Sequence, residues 1–198
     1  MENRETFFQR LKPFFVPSTL LDVELAYTLA KFSHRSQVRK EVDGEGQPVR
    51  YFEHIRRVAL VLIDEAKIIN REMVIASLLH DGMEDTRDLT PAMIEHCFGP
   101  DVTQMVMTLS KVPKDGYLER FYTSTDWRVY LIKACDRLDN VRSLSQASPA
   151  FQAKQIAETR DKYYSLFDRM VSLTPTEFRD RTQTIRDQVR QATERQTT

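Results

Sequence analysis

Glycine is scarce in this chain, five residues in 198, and the stretches between the glycines are dominated by helix formers. Continuous strand-type alternation is also missing, so the pattern argues against a sheet-based architecture. Two cysteines, Cys97 and Cys135, sit in helical apolar patterns without metal-type spacing, and they read as reduced core residues. There is no excess of either charge: 29 basic and 29 acidic residues cancel, so no global field recruits nucleic acid, and any affinity for anions must come from a local basic cluster. No apolar run approaches the roughly 20 residues of a membrane-spanning helix. The opening Met1-Glu2-Asn3-Arg4-Glu5 has no apolar stretch of the signal-peptide kind. These absences predict a cytoplasmic, soluble protein with no membrane and no nucleic-acid partner, and they leave homo-oligomerisation open.

What is present is helical spacing, repeated along the chain. A helix is expected from about Thr19 to Arg35, a polar loop over Lys40–Pro48, and a second helix from about Phe52 to Lys67. Asn70 can cap a third helix ending near Met83. Thr90-Pro91 opens a short helix to Phe98, and Gly99-Pro100 separates it from another that reaches about Ser110. Thr125-Asp126 can cap a long segment through Leu144, and Ser148-Pro149 starts a helix to about Leu173. Thr174-Pro175-Thr176-Glu177 then introduces a last helix, Thr176 to about Thr193, which has few apolar residues and is expected to be peripheral or partner-facing. The expectation is an all-α single domain over 1–198.

Chemistry concentrates in Leu78-Leu79-His80-Asp81-Gly82-Met83-Glu84-Asp85-Thr86. An apolar run, Met73 to Leu79, turns abruptly into one imidazole and three carboxylates. On a continuous helix His80, Asp81, Glu84 and Asp85 would share one patch. Buried groups of this kind need a partner, and a divalent metal would account for all four. Two further histidines lie at helix ends, His34 near the end of the first helix and His54 in the first turn of the second. A distal acid appears where Val129, Ile132, Asp136, Asn140 and Ser143 fall on one helical line, an apolar stripe becoming polar halfway. Singly, His34, His54 or Asp136 would be an ordinary packed or paired residue; together they suggest a metal centre. Mixed imidazole and carboxylate donors suit manganese, iron, zinc or cobalt better than calcium, and spacing does not choose among them.

The order His, His-Asp, distal Asp on separate helices resembles the HD superfamily of metal-dependent phosphohydrolases. The detail is closer to the hydrolase domain of Rel/SpoT alarmone enzymes. His-Asp-Gly-Met-Glu-Asp-Thr at 80–86 resembles their HDxxEDT motif, and Ser33-His34-Arg35-Ser36-Gln37 with Arg39-Lys40 resembles their first histidine motif. Tyr51-Phe52-Glu53-His54 looks like their Tyr-x-x-His segment, with Ile55 where proline is usual. Phe98-Gly99-Pro100-Asp101-Val102 resembles a Phe-Gly-x-x-Val junction. Lys133 to Arg142 resembles K-x-x-D-(K/R)-L-x-N-(L/V)-R. The recognisable region covers about 25–167 and leaves no length for synthetase or regulatory domains, as in stand-alone small alarmone hydrolases.

That resemblance implies an HD-type multi-helix domain with a metal, most simply Mn2+, at the centre of the bundle. It implies His34, His80, Asp81 and Asp136 as metal ligands, and Glu84 and Asp85 as the acids that position water or move a proton. It also implies Arg39, Lys40, Lys111, Asn140, Arg160 and Tyr164 as contacts to a nucleotide. The expected reaction is release of pyrophosphate from the 3′ position of guanosine tetra- or pentaphosphate, giving GDP or GTP. Alternatives are the same chemistry on an adenosine alarmone or on another phosphorylated nucleotide such as NADPH, or a non-catalytic alarmone sensor or antitoxin. The loop from Lys40 to Arg50, acidic at Glu41, Asp43 and Glu45, departs from the family where phosphate would be read.

Overall fold

The computed structural model describes residues 2–85, 88–112 and 115–196. Two inner helices organise it. The first, α4 (Arg71–Leu79), is capped by the Asn70 side chain accepting from the Met73 amide, and every residue from Met73 to Leu79 is buried. A helix apolar on all sides belongs in the middle of a domain, where packing replaces the amphipathic face. The second, α9 (Trp127–Arg142), is capped by Asp126, and it too is buried along almost its whole length.

The remaining helices wrap these two. Around α4 lie α2 (Pro17–Ser33), α3 (Tyr51–Leu60) and α7 (Pro100–Leu109); around α9 lie α3, α7, α11 (Tyr164–Leu173) and α12 (Arg179–Arg195). One continuous apolar core runs from Phe7 to Val189. Short α5 (Gly82–Asp85), α6 (Pro91–Phe98), α8 (Tyr117–Thr123) and α10 (Pro149–Glu158) complete the rim. No described helix is long and apolar enough to cross a membrane. Cys97 and Cys135 are free thiols, Cys135 fully buried.

The all-α expectation holds, with local departures that have physical causes. An additional helix, α1 (Arg4–Leu11), precedes those expected; Asn3 and Thr6 form a capping box, and Phe7, Phe8 and Leu11 enter the core. The loop expected over Lys40–Pro48 is a small antiparallel hairpin, β1 (Val38–Val42) and β2 (Pro48–Arg50). Asp43 Oδ1 accepts from the amides of Glu45 and Gln47, and Gly46 takes the positive φ that closes the turn. The helix expected to end near Met83 stops at Leu79, and α5 begins after a turn at His80-Asp81. Gly82 opens α5, and its lack of a Cβ lets Leu89 pack against it, since a Cβ there would sit 2.5 Å from the Leu89 side chain.

Two helices also widen by one residue, a π-type turn over Val61–Glu65 after α3 and another over Thr159–Tyr163 between α10 and α11. The expectation of a peripheral last helix is not met. Thr182, Ile185, Val189 and Thr193 form a buried line that packs α12 against α9 and α11. Few apolar residues suffice because all of them fall on one stripe.

Candidate metal centre and adjoining cleft

Three imidazoles in this chain are tied from behind by the same ring atom. His80, just past the end of α4, directs Nδ1 to the Ser77 carbonyl at 2.8 Å. His54, in the first turn of α3, directs Nδ1 to Asp139 Oδ2 at 2.7 Å. His34, at the C-cap of α2, directs Nδ1 to Gln37 Oε1 at 2.6 Å. An oxygen acceptor at Nδ1 fixes the proton there, so each ring carries its lone pair on Nε2 when neutral.

The forward nitrogens of His54 and His80 meet two carboxylates. His80 Nε2 lies 3.1 Å from Asp81 Oδ2 and 3.9 Å from Asp136 Oδ1; His54 Nε2 lies 3.3 Å from Asp136 Oδ1 and 3.8 Å from Asp81 Oδ2. One ligand atom each from His54, His80 and Asp81 falls within 4.8 Å of the others. His34 stands one residue away: its ring stacks on Tyr51 at 4.9 Å, and the Tyr51 hydroxyl donates to Asp81 Oδ2 at 2.7 Å. The three histidines and two aspartates are all buried.

Asp136 is held from both sides. Lys133 Nζ, one turn earlier on α9, lies 2.7 Å from Oδ2, and Asn140 Nδ2, one turn later, donates to Oδ1 at 2.5 Å. Behind His54, Asp139 also accepts from Arg57 Nε at 2.6 Å, and Arg57 continues to Glu41 at 2.8 Å.

The electrostatics of the cluster call for positive charge at its centre. Burial opposes a charged His80, but Asp81 and then Asp136 overcome it and raise its pKa to about 9. Burial would likewise raise Asp81, yet the adjacent His80 holds it far below the usual carboxylate range. Burial works against an ionised Asp136 too, and Lys133, His54 and His80 reverse the balance. Lone pairs and carboxylate oxygens converge here with acceptors facing acceptors, which is tolerable only around a proton or a cation. The donor set therefore fits a divalent metal, which would replace the proton and leave the imidazoles neutral.

Tyr51 and Asn140 also line a cleft that opens beside the cluster, between the hairpin and the C-terminal end of α9. Arg39 enters it from β1 and donates through Nη2 to Asn140 Oδ1 at 2.9 Å and to Ser143 Oγ at 3.1 Å. Asn140 thus bridges the guanidinium of the cleft and the carboxylate of the cluster. Lys40 sits 4.0 Å over the Phe151 ring, and Glu41 and Gln155 complete the walls. On the opposite side, Glu84 pairs with Lys111 Nζ at 2.8 Å. Burial, then the charge of Asp81, raises the Glu84 pKa, with Lys111 opposing.

A family model for the HD domain matches residues 26–124. The chain belongs to the HD-domain family. Among its relatives is guanosine-3′,5′-bis(diphosphate) 3′-pyrophosphohydrolase MESH1 of Drosophila melanogaster, 34% identical over 141 residues, covering 68% of this chain and 74% of that one. The pyrophosphohydrolase of the same description from Aquifex aeolicus is 34% identical over 163 residues, and the bifunctional (p)ppGpp synthase/hydrolase SpoT of Escherichia coli 29% over 178. This HD-domain chain spans 22% and 24% of the lengths of those two. A solved structure described as a metazoan ortholog of SpoT that hydrolyses ppGpp superposes with a TM-score of 0.64 at 26% identity, covering 88% of this chain and 94% of that one.

Set against the residues expected from sequence, the HD domain brings His80, Asp81 and Asp136 into one cluster, with His34 at its edge through Tyr51. Glu84 and Lys111 form one flank, and Arg39, Lys40 and Asn140 the other. The Asp85 side chain lies outside the described residues, as do Thr86 and Lys114. Arg160 and Tyr164 are not brought to the cleft. Arg160 lines a separate groove with Ile156 and Gln196, and the Tyr164 ring lies under Arg190 of α12. Arg160 lies in the π-type turn over Thr159–Tyr163, and Tyr164 opens α11 just after it. Tyr163 faces inward in their place, 6.0 Å from Lys133 Nζ and 4.3 Å from the Arg137 guanidinium. His54 and Asp139 join the cluster without having been expected as ligands. Tyr51-Phe52-Glu53-His54 carried the signal for His54, whereas Asp139 offered none that separates it from a surface acid.

Proposed function

We propose that this HD domain, acting as one unit over 1–198, removes pyrophosphate from the 3′ position of guanosine tetra- or pentaphosphate, with Mn2+ as the metal. The observation that carries the reading is Asn140, whose amide joins the carboxylate cluster at Asp136 to the cationic cleft at Arg39. A metal centre and a phosphate-binding cleft one side chain apart suit hydrolysis of a phosphoryl group on a bound nucleotide. The relatives named above act on guanosine 3′,5′-bis(diphosphate) and ppGpp, which supports the choice of base.

In this reading His34, His80, Asp81 and Asp136 hold the metal, and His54, its Nε2 3.3 Å from Asp136 Oδ1, stands beside Asp136 in the same cluster. When bound, the cation supplies an activated water at neutral pH and neutralises charge on the phosphoryl oxygens. Lys133 and Asn140 fix the orientation of Asp136, and Tyr51 fixes that of Asp81. Arg39 and Lys40 bind the phosphates, and the Phe151 ring offers an apolar surface beside them. Glu84, its pKa raised by burial and the Asp81 charge, accepts the proton of the attacking water, with Asp85 beside it in sequence. A bond forms from that water to the phosphorus, the bond to the ribose 3′ oxygen breaks, and this oxygen takes up a proton. Lys111 holds Glu84 in place until the nucleotide's own charge competes for it.

The test is a product assay on guanosine and adenosine alarmones and on NADPH, with and without added Mn2+, beside Asp81→Ala. Metal-dependent release of pyrophosphate from the guanosine compounds, lost in the variant, is the expected result. No turnover of any guanosine alarmone with metal supplied would overturn the proposal, and preferential turnover of an adenosine nucleotide would overturn the choice of base.

A further inference from the structure

Helix α2 carries an apolar stripe that the described residues leave largely exposed, the Arg35 guanidinium 4.0 Å over the Phe32 ring being its one described cover. Leu21, Leu25, Thr28 and Phe32 follow at spacings of four, three and four, so they share one line along the helix. Leu21 is 65% exposed, Leu25 42% and Phe32 54%; Phe14 at 65% and Val16 at 63% continue the apolar surface before the helix begins. The opposite face of α2, through Val23, Ala26, Tyr27 and Ala30, is the one that enters the core. The five exposed apolar side chains present on the order of 500 Å² of surface, at the upper end of what a monomer leaves to water.

The flanks of the stripe say what fits it. Glu24 lies near the start of the helix and Lys31 two turns later, both on the same side of the apolar line. Lys31 is exposed, and Glu24 is half-exposed beside Arg4. When two copies of α2 lie antiparallel about a two-fold axis near residues 26 and 27, Leu21 meets Phe32 of the second copy and Leu25 meets Thr28. In the same register Glu24 comes within reach of Lys31 of the second copy, and the contact occurs twice. The antiparallel arrangement also sets opposite helix dipoles side by side. A surface that is complementary to itself in both apolar contour and charge is the signature of an isologous dimer. With the polar borders included, a pair of 17-residue helices approaches the ~800 Å² per partner of a stable interface.

We propose that α2 is the interface of a two-fold homodimer, with a second copy of this chain as the occupant of the stripe. The interface lies beside the metal centre, since His34 caps the same helix, but it leaves the cleft of Arg39 and Asn140 on a different element.

Sedimentation velocity over a wide range of protein concentration tests it. The unmodified chain is expected to sediment as a dimer. Leu25→Glu and Phe32→Glu are expected to weaken association on the order of a hundred-fold, as hot-spot losses do. Unchanged helical circular dichroism would show that the fold is intact, since both side chains face water in the monomer. Lys31→Glu is expected to weaken the dimer about two- to fivefold, and Glu24→Lys with Lys31→Glu to restore it, because the swapped charges again face each other. A chain that remains monomeric at every concentration overturns the proposal, as does a dimer that both glutamate substitutions leave intact. A monomer that instead binds a different protein through Leu25 overturns it as well.

Discussion

The candidate metal centre and the cleft beside it are neighbours built by opposite rules. The centre stands on the two inner helices and on the ends of α2 and α3, its histidines and aspartates are buried, and each reactive group is held by a second contact. The cleft leans on a two-stranded hairpin and on the rim helix α10, with Lys40 exposed to solvent. Close packing on all sides constrains the first, whereas a surface hairpin is the kind of element that tolerates change without disturbing a core. Under the proposed function, the contrast separates the chemistry done on a phosphoryl group from the choice of nucleotide. Substitutions in the centre should remove activity outright, and substitutions in the cleft should change affinity first.

The sharpest way to break that division is at Asp136. Asp136→Asn keeps the volume but removes a charge that Lys133, Asn140 and two histidines surround. Metal affinity is expected to fall steeply and turnover to disappear, and a chelator should have the same effect on the unmodified chain, reversed by Mn2+. Metal titration by calorimetry beside kinetics checks both; an Asp136→Asn protein with normal metal binding and activity would dissolve the distinction.

Glu84 comes next, because it flanks the cluster, close enough to feel the Asp81 charge, without belonging to the cleft. Glu84→Gln should lower kcat by about 10²–10⁴-fold while leaving KM within a few-fold, the range for loss of a positioned general base. The pH profile gives a second reading. A carboxyl whose pKa is raised is protonated over a wider acidic range, so activity should climb as pH rises through that elevated pKa. The limb should flatten in Glu84→Gln. Metal loading should move it to lower pH, because a cation offsets the Asp81 charge that helps to raise Glu84.

Arg39 carries the smaller effect expected of the cleft. Its guanidinium already donates to Asn140 and Ser143, so it is aligned before substrate arrives. Arg39→Ala should raise KM roughly 10- to 100-fold, the equivalent of one lost charge-assisted contact. Arg39→Lys should recover little of it, since a lysine cannot span Asn140 and a phosphate together. A drop in kcat alone would mean that Arg39 acts through Asn140 on Asp136 instead, and that the two regions are one.

The same division accounts for what could be read in the sequence. The helices of the core were legible because burial imposes 3.6-residue periodicity on Met73–Leu79 and on the run from Val129, and proline and threonine mark several of their starts. His80, Asp81 and Asp136 were legible because a charge placed inside an apolar run is costly unless a partner holds it. The hairpin was not, because Lys40–Pro48 contains no alternation and its shape rests on Asp43 folding back on two backbone amides. Nor was the register after Glu158, where a π-type turn intervenes and Tyr163 faces inward and Tyr164 away; no composition signal marks a π-type turn. His54 was visible as a helix-end histidine and a motif letter but not through its partner, since Asp139 is 85 residues away. Long-range pairs are what a one-dimensional pattern omits.

Lys40 offers the finest division of the cleft. It follows Arg39 in sequence, yet its ammonium lies over the face of Phe151 at 4.0 Å, where Arg39 has two hydrogen bonds. An exposed cation over an aromatic ring is worth about 0.5–1 kcal/mol, and water competes for it. Lys40→Ala should therefore raise KM only about two- to fivefold, with kcat unchanged, and the effect should shrink further as salt screens the ammonium. Phe151→Ala should produce a similar loss, and the double substitution little more than either alone, because each removes the same contact. Steady-state kinetics at two salt concentrations resolve the pattern. Additive losses would mean that the ring and the ammonium touch different parts of the nucleotide, placing base and phosphate on separate anchors within the one cleft.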